Sequence, residues 1–414
     1  MKFVVLVGDG MADRPLKKLG YRTCLQAART PNMDRLAREG ERGIARTIPR
    51  GFDPGSDVAN LSILGYAPAK YYSGRAPLEA AYRGIELGPS DVAFRCNLVT
   101  LNFGDSGSRE AAVMDDYSAG HITSKEAGSI IRDIHRKLGG KDVSFYPGVS
   151  YRHLMVWRKG NEKIRCTPPH DITGRKIGDH LPRGRGADIL LKIMDQAQQV
   201  LLSHPVNRSR RKRGLREANS LWFWGQGKKS AMPRFADKYG LSGALISAVD
   251  LTKGLGMCSG FEIINVKGAT GYIDTNYEGK ARAALRALRK HDLVYVHVEA
   301  PDEAGHQGDL KAKIQAIEDF DAKVVGPIAE GMKRFGEYSI LLMPDHATPL
   351  SVMTHTDEPV PFVIFRSRQS QGKERGRACA YSEAIARMKG IRVFEKGHEL
   401  MNYFIRGRRG AVAP

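Results

Sequence analysis

Three places in the chain set carboxylates and imidazoles where metal chemistry would need them. Asp345 and His346 stand together directly after the apolar run ILLMP, and His355 follows nine residues later. Asp302 and His306 lie four apart in APDEAGH, immediately behind LVYVHV. That spacing puts both side chains on one face of a helix or tight turn, within reach of one ion. Asp9 follows KFVVLV and sits between two glycines. Each has a plainer reading when taken alone: Asp345 as the cap of the next segment, His346 as a loop histidine, Asp9 as a turn residue. Their shared position, just past the end of an apolar run, sets them apart. Four Asp and His groups gathered in one crevice repel one another or need a cation, and mixed Asp and His donors suit Mn, Zn or Fe better than Ca.

A nucleophile stands near them in the sequence. In GFDPGSDVANLSILGY, Pro54 and Gly55 make a turn and Ser56 is placed to cap a helix beginning near residue 57. Simple capping needs no more than a serine. A hydroxyl at a helix N-terminus also sits among free backbone N–H groups that favour a phosphoryl anion. Such a serine needs activation, and with no histidine close in sequence a metal is the expected activator.

The elements that must position these groups read as a parallel sheet. The runs at 2–7, 243–249, 293–298, 340–343 and 360–365 are short, apolar and rich in branched residues, as buried parallel strands are. Open parallel sheets bind ligands just beyond the carboxyl ends of their strands. Residues 30–40, with Thr30, Pro31 and Gly40 as punctuation, read as a helix; so do 279–290 and 311–326. From 88 to 235 the texture changes to short strands at 91–101, 143–145 and 153–157 with helices at 124–138 and 188–202. Trp222, Phe223 and Trp224 read there as an apolar knot. The expected fold is α/β, a mostly parallel sheet flanked by helices built from 1–87 and 236–414, with a smaller inserted α/β domain at 88–235.

Composition narrows the class. At 414 residues two domains are expected, and 42% hydrophobic content supports folding. The five cysteines (Cys24, Cys96, Cys166, Cys258 and Cys379) form no CxxC pair, which fits a reducing cytoplasm. No apolar run reaches the roughly 20 residues needed to span a bilayer, and the N-terminus has too short a run for a signal peptide. The net charge of +20 points to nucleic acid or to a small anionic substrate. The basic clusters at 208–213, 366–377 and 406–409 carry no nucleic-acid-binding fingerprint, so a small anion is the expected partner. Monomer and homo-oligomer both remain open.

The set VGDG, DPGSDVANLSILGY, APDEAGH, PDH and THT resembles the cofactor-independent phosphoglycerate mutases, in their shorter archaeal-type branch within the alkaline phosphatase superfamily. The likeness runs from the N-terminal MKFVVLVGDGMAD to VPFVIF. It implies interconversion of 3-phosphoglycerate and 2-phosphoglycerate, in glycolysis and gluconeogenesis, without 2,3-bisphosphoglycerate. It implies two divalent ions, Mn2+ first among Mg2+, Co2+ and Zn2+. One would be held by Asp302, His306 and His355, the other by Asp9, Ser56, Asp345 and His346, with Ser56 as the nucleophile that becomes phosphorylated. In the inserted domain it points to His121 and Asp171 for proton transfer and to Arg183, Arg208 and Arg211 as clamps on the substrate, since an arginine fork suits carboxylate and phosphate. Lys253 would bridge the phosphoryl group near the metals. The same metal set also fits another phosphoryl transferase or phosphatase acting on a different small phosphorylated acid.

Overall fold

The structure, a computed structural model, describes residues 1–105, 107–368 and 380–407. Most of the basic run at 366–377, part of that at 406–409, and Cys379 lie outside the described residues. Among those described, thirteen strands are β1 (Lys2–Gly8), β2 (Glu41–Ala45), β3 (Val92–Asn102), β4 (Val113–Asp116), β5 (Val143–Tyr146), β6 (Arg152–Trp157) and β7 (Ser220–Lys228); then β8 (Gly243–Ile246), β9 (Glu262–Ile263), β10 (Leu293–Val298), β11 (Tyr338–Met343), β12 (Val360–Arg366) and β13 (Arg392–Phe394). Two compact units result: Met1–Tyr72 with Ala231–Pro414, and Ser73–Ser230. The divisions at 73 and 230 differ from those read at 88 and 235. The earlier start follows from helix Arg75–Tyr82, whose Ala76 and Ala80 bury themselves against Ala93, Leu154 and Val156 of the second unit's strands.

In the first unit eight strands run in the order β13-β2-β12-β11-β1-β10-β8-β9. β1 lies between β11 and β10, parallel to both. Every residue of β10 and β11 is buried, which is why their sequences read as unbroken apolar runs rather than alternating ones. Val4, Leu6, Val294, Val296, Ile340 and Leu342 pack with residues of helices Pro31–Glu39, Tyr277–Ala287 and Leu310–Phe320. β12, expected to join a parallel sheet, runs antiparallel to both β11 and β2. The chain returns from β11 through residues 344–359 without a crossover helix, and a parallel return would need one.

The second unit carries a five-stranded antiparallel sheet, β4-β3-β6-β5 with β7 on β3. Trp222, Phe223 and Trp224 are not a knot but the middle of β7, a strand that the sequence pattern hid because all three neighbours are large and buried. Helices Ser124–Leu138 and Ala187–Leu202 contribute to the main core of this unit with Phe94, Cys96 and Leu98 of β3. No helix among the described residues is long and apolar enough to cross a membrane.

Candidate active site

Because β11, β1 and β10 are adjacent and parallel, whatever follows their carboxyl ends is brought together. Asp9 follows β1, Asp345 and His346 follow β11, and Asp302 and His306 lie on helix Ala300–His306 behind β10. The seven residues singled out as metal ligands do converge. His346 Nε2 lies 3.3 Å from Asp9 Oδ1 and 3.5 Å from Asp345 Oδ2. His306 Nε2 lies 3.2 Å from Asp302 Oδ2 and 3.0 Å from His355 Nε2, and the latter is 3.6 Å from Asp302 Oδ1. Donor atoms of Asp9, Asp345 and His346 form one close group, and those of Asp302, His346 and His355 a second that shares His346.

Ser56 is not the cap that its sequence position suggested. Gly55 takes that position in extended backbone, and Ser56 is the first residue of helix Ser56–Ile63. Its hydroxyl, released from capping, lies 3.0 Å from His346 Nε2. Asn60, one turn along, donates to both the Ser56 carbonyl (2.8 Å) and Asp345 Oδ2 (2.7 Å), locking the helix start to the β11 loop. Tyr295 of β10 fixes the Asn60 amide from behind at 2.5 Å. Gly10 adopts φ +58° and donates to Asp345 Oδ1; a Cβ there would collide with Asp302 and Thr348, so the close approach requires glycine.

The imidazole tautomers follow from their second nitrogens. His306 Nδ1 donates to the Met353 carbonyl at 3.1 Å, which turns Nε2 towards Asp302 and His355. Thr348 Oγ1 donates its proton to Asp302 Oδ1 and so accepts from His346 Nδ1 at 3.2 Å, which directs the lone pair of His346 Nε2 at Ser56, Asp9 and Asp345. One hydroxyl therefore joins the two groups of donors.

The electrostatics call for a cation. Burial, then repulsion from Asp345 and Asp302, raises Asp9 well above the usual carboxylate range, and Asp9 Oδ1 is buried with no hydrogen-bond partner. Burial lowers His346 to about 4, which keeps it a neutral donor. Burial opposes charge on His306, but Asp302 outweighs it and raises the imidazole to about 9. The Nε2 atoms of His306 and His355 face each other 3.0 Å apart beside the Asp302 carboxylate, a contact that needs a proton or a metal ion to hold it. The donor set fits two divalent ions on these grounds.

Sequence reasoning passed over the layer beneath. His297, inside β10, lies 3.4 Å from Asp9 Oδ2 and 3.3 Å from Glu299 Oε1. Glu299 Oε2 accepts from Lys280 at 2.5 Å, and all three side chains are buried. Burial disfavours charge on His297, yet Asp345 and Glu299 together raise it to about 9; burial likewise opposes charge on Glu299, and Lys280 and His297 hold its carboxyl far below the usual range. The signal was available: a histidine and a glutamate close an otherwise apolar strand.

Lys253 lies buried on helix Asp250–Cys258, behind β8, the other neighbour of β10. In the second unit the picture is different. His121, Asp171, Arg183, Arg208 and Arg211 are all exposed, and among the described residues no hydrogen bond or ion pair joins any two of them. Arg211 forms two 2.6 Å bonds to Glu217, Arg183 pairs with Asp179 at 3.0 Å, and Arg208 donates to the Ser203 carbonyl. Asp171 faces His170 at 3.6 Å. His121 ends three successive residues with positive φ, Ala119 to His121, tied down by Asp116 and by Arg210.

Comparison with known proteins adds a family to this geometry. Residues 37–207 match the family model for 2,3-bisphosphoglycerate-independent phosphoglycerate mutase. Curated relatives of that description include one from Methanothrix thermoacetophila, 54% identical over 98% of this chain and 100% of the relative. Another, from Methanosarcina barkeri, is 50% identical over 99% of this chain and 100% of the relative. Among solved structures, a Pyrococcus horikoshii protein covers 100% of this chain and 99% of its own at TM-score 0.80 and 29% identity. A cofactor-independent phosphoglycerate mutase of Thermoplasma acidophilum gives TM-score 0.64 at 27% identity, covering 98% and 99% of the two chains.

Proposed function

The chain belongs to the 2,3-bisphosphoglycerate-independent phosphoglycerate mutase family, and from that premise we propose that Ser56 carries the phosphoryl group between the two hydroxyls of glycerate. The enzyme is an isomerase that interconverts 3-phosphoglycerate and 2-phosphoglycerate. Glycolysis and its reversal, in the cytoplasm, are where this reading sets it.

Asp9, Ser56, Asp345 and His346 would hold one divalent ion, and Asp302, His306 and His355 a second, with Mn2+ the expected species. Bound there, the ions supply positive charge to the transferring oxygens and lower the pKa of the serine hydroxyl. The remaining work falls to side chains. Ser56 Oγ attacks phosphorus in line, forming an Oγ–P bond as the bond from phosphorus to the glycerate 3-oxygen breaks. The freed 3-oxygen takes a proton and the 2-hydroxyl gives one up, a transfer assigned to His121 and Asp171. The 2-oxygen then attacks phosphorus and Ser56 leaves. Lys253 neutralises phosphoryl charge, and the second unit retains the glycerate throughout. Excluding water from phosphoserine keeps the enzyme from acting as a phosphatase.

The observation that supports this most is the release of Ser56 from capping. A serine at the first helical position, 3.0 Å from a neutral imidazole and beside two buried carboxylates, is arranged for nucleophilic attack rather than for helix stability. The test is incubation with 3-phosphoglycerate and Mn2+, without 2,3-bisphosphoglycerate, following 2-phosphoglycerate and inorganic phosphate together. 2-Phosphoglycerate should dominate; mostly inorganic phosphate would refute the mutase reading.

A further inference from the structure

The three segments that carry the metal donors meet at one buried amine. Lys313 lies near the start of helix Leu310–Phe320, which follows the helix of Asp302 and His306 and packs against it. Ala316, Ile317 and Phe320, three, four and seven residues further on, all enter the core, so helical spacing asks for an apolar residue at 313. A lysine stands there instead, fully buried. A buried amine is costly unless its donors are used. Here all three are: Nζ donates to the Thr348 carbonyl at 2.7 Å, to Asp13 Oδ2 at 3.0 Å and to the Ala12 carbonyl at 3.3 Å.

These acceptors belong to the two loops that hold the other donors. Ala12 and Asp13 follow β1 and Asp9, and Thr348 follows β11, Asp345 and His346. The loops already touch. Met11 and Ala12 bridge to Ala347, the Thr348 N–H donates to the Ala12 carbonyl at 3.2 Å, and the N–H of Thr356, next to His355, donates to the Ala347 carbonyl at 2.9 Å. Asp13 is held in turn: its Oδ1 accepts from the backbone N–H of Arg14 at 2.7 Å and of Leu350 at 3.3 Å, and its own N–H donates to Glu383 at 2.9 Å. The carbonyl that takes the shortest Lys313 bond belongs to Thr348, whose hydroxyl joins Asp302 to His346. A Cβ on Gly305, between Asp302 and His306 in their helix, would come within 2.8 Å of that carbonyl, so helix and loop press together at the same residue.

We propose that Lys313 is a positioning residue for both metal centres. Its ammonium pins the loops after β1 and β11 to the helix pair behind β10 and so sets the spacing of the donors beyond the strand ends. It acts through backbone carbonyls and Asp13, not by touching an ion or the substrate. An apolar side chain of the same length would fill the space and leave all three acceptors without this partner. The inference rests on the two-ion reading of the site and does not depend on which phosphorylated acid is the substrate.

The test compares Lys313→Met with the double variant Lys313→Met, Asp13→Asn, which removes both charges of the buried pair yet keeps an oxygen for the Arg14 and Leu350 N–H groups. Metal-free, full-length protein is titrated with Mn2+ by calorimetry. Lys313→Met should melt lower and bind Mn2+ about 10–100-fold more weakly. Turnover of 3-phosphoglycerate should then need correspondingly more Mn2+, while KM for the substrate at saturating Mn2+ stays within about twofold. In the double variant no charge is left buried without its partner, so melting should recover towards wild type. Mn2+ affinity should stay weakened there, because the loops remain unpinned. Wild-type Mn2+ affinity in the double variant would overturn the proposal and leave Lys313 as no more than a charge partner for Asp13. Wild-type affinity in a folded Lys313→Met would overturn it as well. A wild-type protein that binds no Mn2+ would refute the two-ion reading and the proposal with it. Lys313-dependent Mn2+ binding in an enzyme that releases inorganic phosphate would refute the mutase reading and support the proposal.

Discussion

The two units use charge in opposite ways. In the first, Asp9, Asp302, Asp345 and His346 are buried, and each is tied to another strand's loop or helix. In the second, Arg183 and Arg211 each hold one carboxylate close in sequence, the exposed Asp179 and the half-buried Glu217. A buried carboxylate costs several kcal/mol unless it is compensated, so such a cluster is kept for chemistry; an exposed ion pair contributes about 0–1 kcal/mol and signals little. Burial, not charge, separates the metal-ligand cluster from these surface pairs.

That contrast can be broken most sharply at Ser56. Ser56→Ala should cut 2-phosphoglycerate formation by roughly 10^4-fold or more while the protein still binds metal; retained activity would mean that the buried cluster is not the reaction centre. Beneath it, Lys280→Met leaves Glu299 buried without its lysine partner. That should destabilise the metal-free protein by about 3–5 kcal/mol in urea unfolding, whereas a neutral result would reduce the buried layer to the status of a surface pair. Thr348→Val removes the hydroxyl shared by Asp302 and His346, and should weaken metal affinity about 10–100-fold by calorimetry, with the fold intact. Smallest of all, Arg183→Ala and Arg211→Ala should each leave KM for 3-phosphoglycerate within about twofold and stability within about 0.5 kcal/mol. A tenfold rise in KM from either would erase the distinction drawn here.

How much of this could be read from the sequence follows the same line. The strand ends and their ligands were legible because parallel strands are apolar throughout and a carboxylate or imidazole at their end is conspicuous, as in LVYVHV followed by Asp302 and His306. The antiparallel course of β12 was not, since an apolar run carries no direction. Asn60, Tyr295 and Thr348 were missed because an amide or hydroxyl matters only through the partner folding brings to it. His297 could have been found, being a titratable group inside a buried strand. In the second unit arginine density drew attention to 208–213. There Arg210, buried against Glu126, is a structural brace for the loop before His121.

The central claim is that Ser56 itself becomes phosphorylated. The most direct measurement is acid quenching of the Mn2+-loaded enzyme within its first turnovers on 3-phosphoglycerate, followed by peptide mass spectrometry of the segment containing residues 51–70. The account predicts an acid-stable phosphate on Ser56 that vanishes when the enzyme is quenched without substrate and is absent from Ser56→Ala. A turnover-competent enzyme whose phosphate appears on another residue, or on none while 2-phosphoglycerate accumulates, would contradict it.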